Sequence, residues 1–180
     1  MSDRFAGEIE IGGKVPKDLA QDLVDAVAEE GAAEGNDWGG KEFSPQSPGE
    51  LMGVVAASGF EGILRLVNDQ ASFGAFTYLE AFCVKHGIAF NRKSEARYEY
   101  DAELVQFRSG MKEPMSFNCA NFDDVLVPAA VVMQVVRKLE AALVASQSSS
   151  AYSHAVLGAV QQLREQCGVG IPALEPLEFV

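Results

Sequence analysis

A chain of 180 residues, 48% hydrophobic and 22% charged, is long enough to bury one core unaided and has no disordered bias. Fourteen Lys and Arg against 26 Asp and Glu leave a net charge of −12, which sets the surface against nucleic-acid phosphates and anionic lipid headgroups. Three widely spaced cysteines, Cys83, Cys119 and Cys167, fit reduced thiols better than a disulfide framework, and no apolar run reaches the roughly 18 residues of a membrane span. The N-terminal MSDRFAGEIEIGG has no signal-peptide core. The expectation is a cytoplasmic protein, one globular domain over 1–180, with no direct contact to nucleic acid or membrane.

RFAGEIEIGG alternates Phe5, Gly7, Ile9 and Ile11 against Ala6, Glu8 and Glu10, the period of a half-buried strand. Gly12 and Gly13 end it, and Pro16 sits where a helix can begin. Leu19, Leu23 and Val27 then recur at helical spacing to about Glu30. The glycines of GAAEGNDWGGKEFSP mark a loop, and Ser47, Pro48 and Glu50 spell a capping box that opens a helix ending at Gly59.

GILRLVND reads as a buried strand with Asp69 as the cap of a following helix, about Ser72 to His86, closed by Gly87. From Ile88 the period becomes two. Ile88, Phe90, Ala96, Tyr98 and Tyr100 share one face, and Lys93, Glu95, Arg97 and Glu99 the other; Arg92 and Ser94 interrupt the apolar side, so a bulge or sheet margin is expected there. The phase slips at Asp101-Ala102, and Val105 with Phe107, then Met115, Phe117 and Cys119, complete an antiparallel meander. Pro128 starts a helix rich in Val and Leu, a polar connector spans 146–150, a last helix runs to about Cys167, and 168–180 is extended by Pro172 and Pro176. The order predicts an α/β or α+β layer protein: a mixed sheet of about five strands with packed helices, two of them C-terminal.

The chemical signals are few. Gly12-Gly13-Lys14 lacks the first glycine and the final Ser or Thr of a phosphate loop, so it reads as a turn. Cys83 and His86 lie three apart on one helix, yet no second metal-ligand pair exists, and His154 falls on a polar face; neither a zinc site nor a thiol–histidine catalytic pair follows. No cofactor is implied, and no motif reaches the specificity of a family signature.

Two constellations remain. Asp18, Asp22, Asp25 and Glu29 recur at i, i+4, i+7 and i+11 on one helix face, and between Asp18 and Gly40 no Lys or Arg offsets them. With Glu34, Asp37 and Trp38 they outline an acidic docking surface for a basic protein, in its sharper form one that normally binds nucleic acid, so that an inhibitor or adaptor is the leading expectation. The alternative is a small enzyme or metal-dependent binder built from Glu99, Asp101 and Glu103, with Asp123-Asp124 nearby and Arg92 or Arg97 holding an anionic ligand. The helix from Pro128 is apolar around much of its circumference, which suits either a central core position or a self-interface in a homodimer.

Overall fold

The computed structural model describes residues 3–35, 37–97, 99–120, 124–145 and 149–180. Tyr98, Asp123 and most of the 146–150 connector lie outside the described residues.

The architecture is α+β. In chain order the elements are β1 (Arg4–Gly12), β2 (Lys14–Val15), a 3-10 turn (Lys17–Leu19), α1 (Ala20–Glu30), β3 (Ala33–Glu34), α2 (Pro48–Ala57), β4 (Leu64–Ser72), α3 (Thr77–His86), β5 (Ala89–Ser94), β6 (Ala102–Phe107), β7 (Met115–Cys119), α4 (Ala129–Ala145), α5 (Ser149–Gln166) and β8 (Glu178–Phe179). Six strands form one sheet in the order β3-β4-β1-β5-β6-β7, one more than expected, with every neighbouring pair antiparallel. The parallel pairing belongs to β2 and β8 alone.

The alternation of β1 decides where the core lies. Ile9 and Ile11 pair with Leu66 and Leu64 on one side and Arg92 and Phe90 on the other, so one sheet face collects these side chains with Val105 and Phe107. Against it lie Leu23, Val24 and Val27 of α1, Leu51 and Val55 of α2, and Leu79 and Cys83 of α3, all buried. The reverse face is polar. Glu8 pairs with Arg65, Glu10 accepts from Asn91 Nδ2 at 3.3 Å, and Asn91 Oδ1 accepts from Gln106 and Arg108.

The helix ends follow local chemistry. Ser47 Oγ accepts from Glu50 N at 3.3 Å, and Glu50 returns a carboxylate oxygen to Gln46 N at 2.9 Å, so the capping box closes one residue further out than the usual pattern. α3 begins at Thr77, not Ser72, because β4 continues through Asp69 and the chain turns over Phe73 and Gly74.

The C-terminal segment is extended, as its prolines require, but it also enters the core. Leu177 is buried, and Arg108 fixes the strand's approach by donating to Pro172 O at 2.7 Å. It crosses the Gly12-Gly13 pair, where Gly13 N donates to Glu175 O at 2.8 Å. A Cβ at Gly12 would lie 2.2 Å from Glu175 O, so this glycine admits a neighbouring backbone.

Candidate functional site

The acidic side chains of the first helix point outward. Asp18 lies in the 3-10 turn, Asp22, Asp25 and Glu29 lie on α1, and all four are exposed. Asp25 accepts from its own-helix neighbour Gln21, and none of the four is ion-paired among the described residues. The C-terminus of α1 behaves differently. Glu30 turns toward the N-terminus of α3 and accepts from Tyr78 N at 3.1 Å and Leu79 N at 3.0 Å, an interhelical cap.

Beyond Gly31 the chain forms β3, and here a cavity of about 770 Å³ opens between β3, the following turn and α2. Glu34, Asp37 and Glu50 stand at its lining together with Val54, Ala57 and Phe60. Phe60 is held by the Arg65 guanidinium, 4.7 Å above its ring. Trp38 follows Asp37 and is 40% exposed. The structure thus brings Glu34 and Asp37 together, puts Trp38 beside them in the chain, and leaves the four α1 acids outside the cavity lining. Sequence reasoning missed Glu50, Val54, Ala57 and Phe60 as site residues. Glu50 was legible only as a cap, and nothing local marks Val54, Ala57 and Phe60 as the lining of a cavity.

The second constellation is divided. Arg92 is buried, bonded through Nη2 to Glu103 Oε2 at 2.5 Å and through Nη1 to Ser94 Oγ at 3.3 Å. Its Nε lies 3.3 Å from Glu80 Oε1, an ion-pair contact without hydrogen-bond geometry. Arg97 Nη1 donates to Arg4 O at 2.7 Å. Burial would raise the Glu103 carboxyl, but the Ser116 hydroxyl and the Arg92 guanidinium outweigh it and hold it below the usual carboxylate range. Glu80 goes the other way, pushed up by burial against the pull of Arg92.

Glu99, Asp101 and Glu103 do share a cavity, of about 440 Å³, with Phe5, Phe73, Ser94, Tyr100 and Asn118. Tyr100 stacks on Phe5 at 6.0 Å and meets Phe73 edge-on at 5.9 Å. Loss of solvent and the charges of Asp3 and Glu99 push its phenol up. Phe73 holds a left-handed backbone, φ 54°, and is 45% exposed. The aromatic wall was not read from sequence, since Phe5, Phe73 and Tyr100 come from three separate segments. No group of three or more His, Cys, Asp or Glu positioned to hold a metal occurs among the described residues, and Cys83 is buried, its thiol pushed up by desolvation. No helix among the described residues is long and apolar enough to cross a membrane.

No family model matches the chain, and neither a curated protein nor a solved structure does.

Proposed function

We propose that this chain is a non-enzymatic docking protein, an inhibitor or adaptor, whose acidic groove between α2 and β3 receives a basic segment of a protein partner. The observation that carries the reading is the composition of the groove: an apolar lining of Val54, Ala57 and Phe60 beside Glu34, Asp37 and Glu50. An apolar side chain of the partner would fill the cavity while flanking lysines or arginines meet the carboxylates, the arrangement in which charge sets specificity and on-rate and the buried anchor sets affinity. The exposed α1 acids and the net charge of −12 would draw such a partner in. A nucleic-acid-binding surface fits best, because its cations ordinarily meet phosphates.

The test uses Trp38, the one tryptophan of the chain. Titration with a synthetic amphipathic Leu/Lys helical peptide should shift its emission, and a Leu/Glu peptide of the same apolar pattern should not. Affinity should fall at least about tenfold between 50 and 500 mM salt and again in Glu34→Lys/Glu50→Lys. Equal binding of the acidic peptide, or no response to the basic one, would remove the proposal.

A second reading places a small enzyme or ligand binder at the Glu99–Glu103 turn. Its support is the cavity in which those carboxylates meet Phe73 and Tyr100. With Arg92 paired to Glu103 and Arg97 donating to Arg4 O, neither guanidinium is directed at an anionic ligand, and Glu99 and Asp101 beside the aromatic rings suit an organic cation better than the anion expected from sequence. Tetramethylammonium and lysine methyl ester, titrated by NMR, should shift Tyr100 ring resonances; acetate shifting them instead would reverse the assignment.

A further inference from the structure

α4 and α5 form an antiparallel hairpin with two unlike sides. Val135 and Ala159 are buried at the seam between the helices. On one side Lys138 Nζ donates to Gln162 Oε1 at 2.7 Å, and Gln162 Nε2 donates to Gln134 Oε1 at 3.4 Å. Val132, Val136 and Leu143 lie about half a turn around α4 from Gln134 and Lys138, and helical spacing puts Leu157 and Val160 of α5 on that same side of the hairpin. All five are exposed, Leu143 at 60% and Leu157 at 67%. A 17-residue and an 18-residue helix thus share an apolar face that no described segment of the chain covers.

We infer that this face is closed by the same face of a second copy of the chain, giving a four-helix bundle across a twofold axis. Two observations select that occupant. The first is charge. Helices α4 and α5 carry Arg137, Lys138 and Arg164 against Glu140 and Glu165, a formal net of +1, in a chain that carries −12 overall. Two copies repel each other over most of their surfaces, and the hairpin is where they can meet with little like-charge cost. A hairpin of such low net charge has no acidic surface to offer a basic partner. The second is area. Two helices about 25 Å long, packed about 9 Å apart, present a face on the order of the roughly 800 Å² per partner that a standard stable interface buries. The groove of α2 and β3 is built from other elements, so the two proposals stand or fall separately.

Sedimentation equilibrium of the full chain between about 1 and 100 μM, a range that spans micromolar affinity, tests the inference. The expected mass is twice 19.3 kDa, retained in about 1 M salt because screening relieves the repulsion between copies. Val136→Glu and Leu157→Lys, both at exposed positions, should each weaken association by at least about tenfold with an unchanged circular dichroism spectrum, while Ala141→Lys, away from the face, should leave it intact. A monomeric wild-type chain at the highest concentration would overturn the inference. So would a dimer that survives Leu157→Lys, a dimer lost in high salt, or a larger assembly. If Val136→Glu unfolds, Leu157→Lys alone decides.

Discussion

Arg92 on β5 reaches diagonally to Glu103 on β6, which stands opposite Ser94, and donates to it in a 2.5 Å hydrogen bond. Glu80 reaches the same guanidinium from α3, so one cation holds two carboxylates and ties a helix to the sheet. Arg92→Met leaves both acids partly buried and unpaired. The expected cost is about 3 kcal/mol by urea unfolding at pH 7, toward the low end for a broken buried pair because Glu103 keeps a third of its side chain in water. Adding Glu80→Gln and Glu103→Gln should recover most of it. A triple variant no more stable than the single one would mean that Arg92 acts through packing.

The pH dependence follows from the same pair. The folded-state pKa of Glu103 lies below its unfolded value, so its contribution is present above about pH 4.3 and is lost as pH falls through the lower folded value. In Arg92→Met the remaining acids take protons more readily when folded. The deficit of the variant should therefore grow as pH rises from about 4 to 7, and a constant deficit would contradict the ion-pair account.

Glu30 gives a prediction of opposite sign. Burial raises its pKa despite the two backbone N–H groups of α3 that it accepts. The folded state holds this proton more tightly than the unfolded chain, so its contribution is largest at low pH and declines as pH rises from the unfolded toward the folded value. Glu30→Gln keeps an acceptor and sheds the buried charge, and should match or exceed wild-type stability at pH 7. Glu30→Ala leaves two helix-start donors without their partner and should cost about 1 kcal/mol. Thermal melts of both variants check the order; equal losses would show that the charge itself is required.

What was legible in sequence was local. Phe5, Ile9 and Ile11 announced β1 by period alone, and Ser47, Pro48 and Glu50 announced α2 by capping chemistry. Arg92 and Ser94 read as a bulge or margin because both are polar on an apolar face, yet β5 pairs through them without a break. Their partners are nonlocal: Glu80 sits one helix upstream and Glu103 one strand downstream. β3 escaped detection for the same reason, since two residues in a glycine-rich loop become a strand only by pairing with Val67 and Leu66. The acids at Glu34 and Asp37 were visible as charge, but the cavity beside them depends on Phe60 arriving from beyond α2.

Gly7 and Gly74 show how closely the chain packs near the aromatic cavity. A Cβ on Gly7 would lie 2.5 Å from Gly74 O, and one on Gly74, whose φ is 63°, would lie 2.4 Å from Ser94 Cβ. Both contacts are with backbone or a fixed Cβ, so no flexible side chain can yield. Gly74→Ala combines a left-handed alanine with that clash and should cost about 1–3 kcal/mol, while Gly53→Ala on α2, with open space around it, should stabilise by about 0.5–1 kcal/mol. If Gly74→Ala melts like wild type, the turn over Phe73 and Gly74 does not have this conformation.

The cysteines should separate cleanly by accessibility. Cys83 and Cys119 are buried, the first with its thiol pushed up by desolvation and the second donating to Phe117 O at 3.7 Å, whereas Cys167 is half-exposed just beyond α5. Thiolate fraction and access together set the rate of disulfide exchange. Ellman's reagent at pH 8 should therefore titrate one thiol per native chain rapidly and all three only in denaturant. Cys167→Ser should abolish the fast phase without lowering the melting temperature by more than about 2 °C, the shift expected of a surface substitution within about 0.5 kcal/mol. A fast phase that persists in Cys167→Ser would mean that α3 or β7 opens in the native state, since those elements enclose the other two thiols.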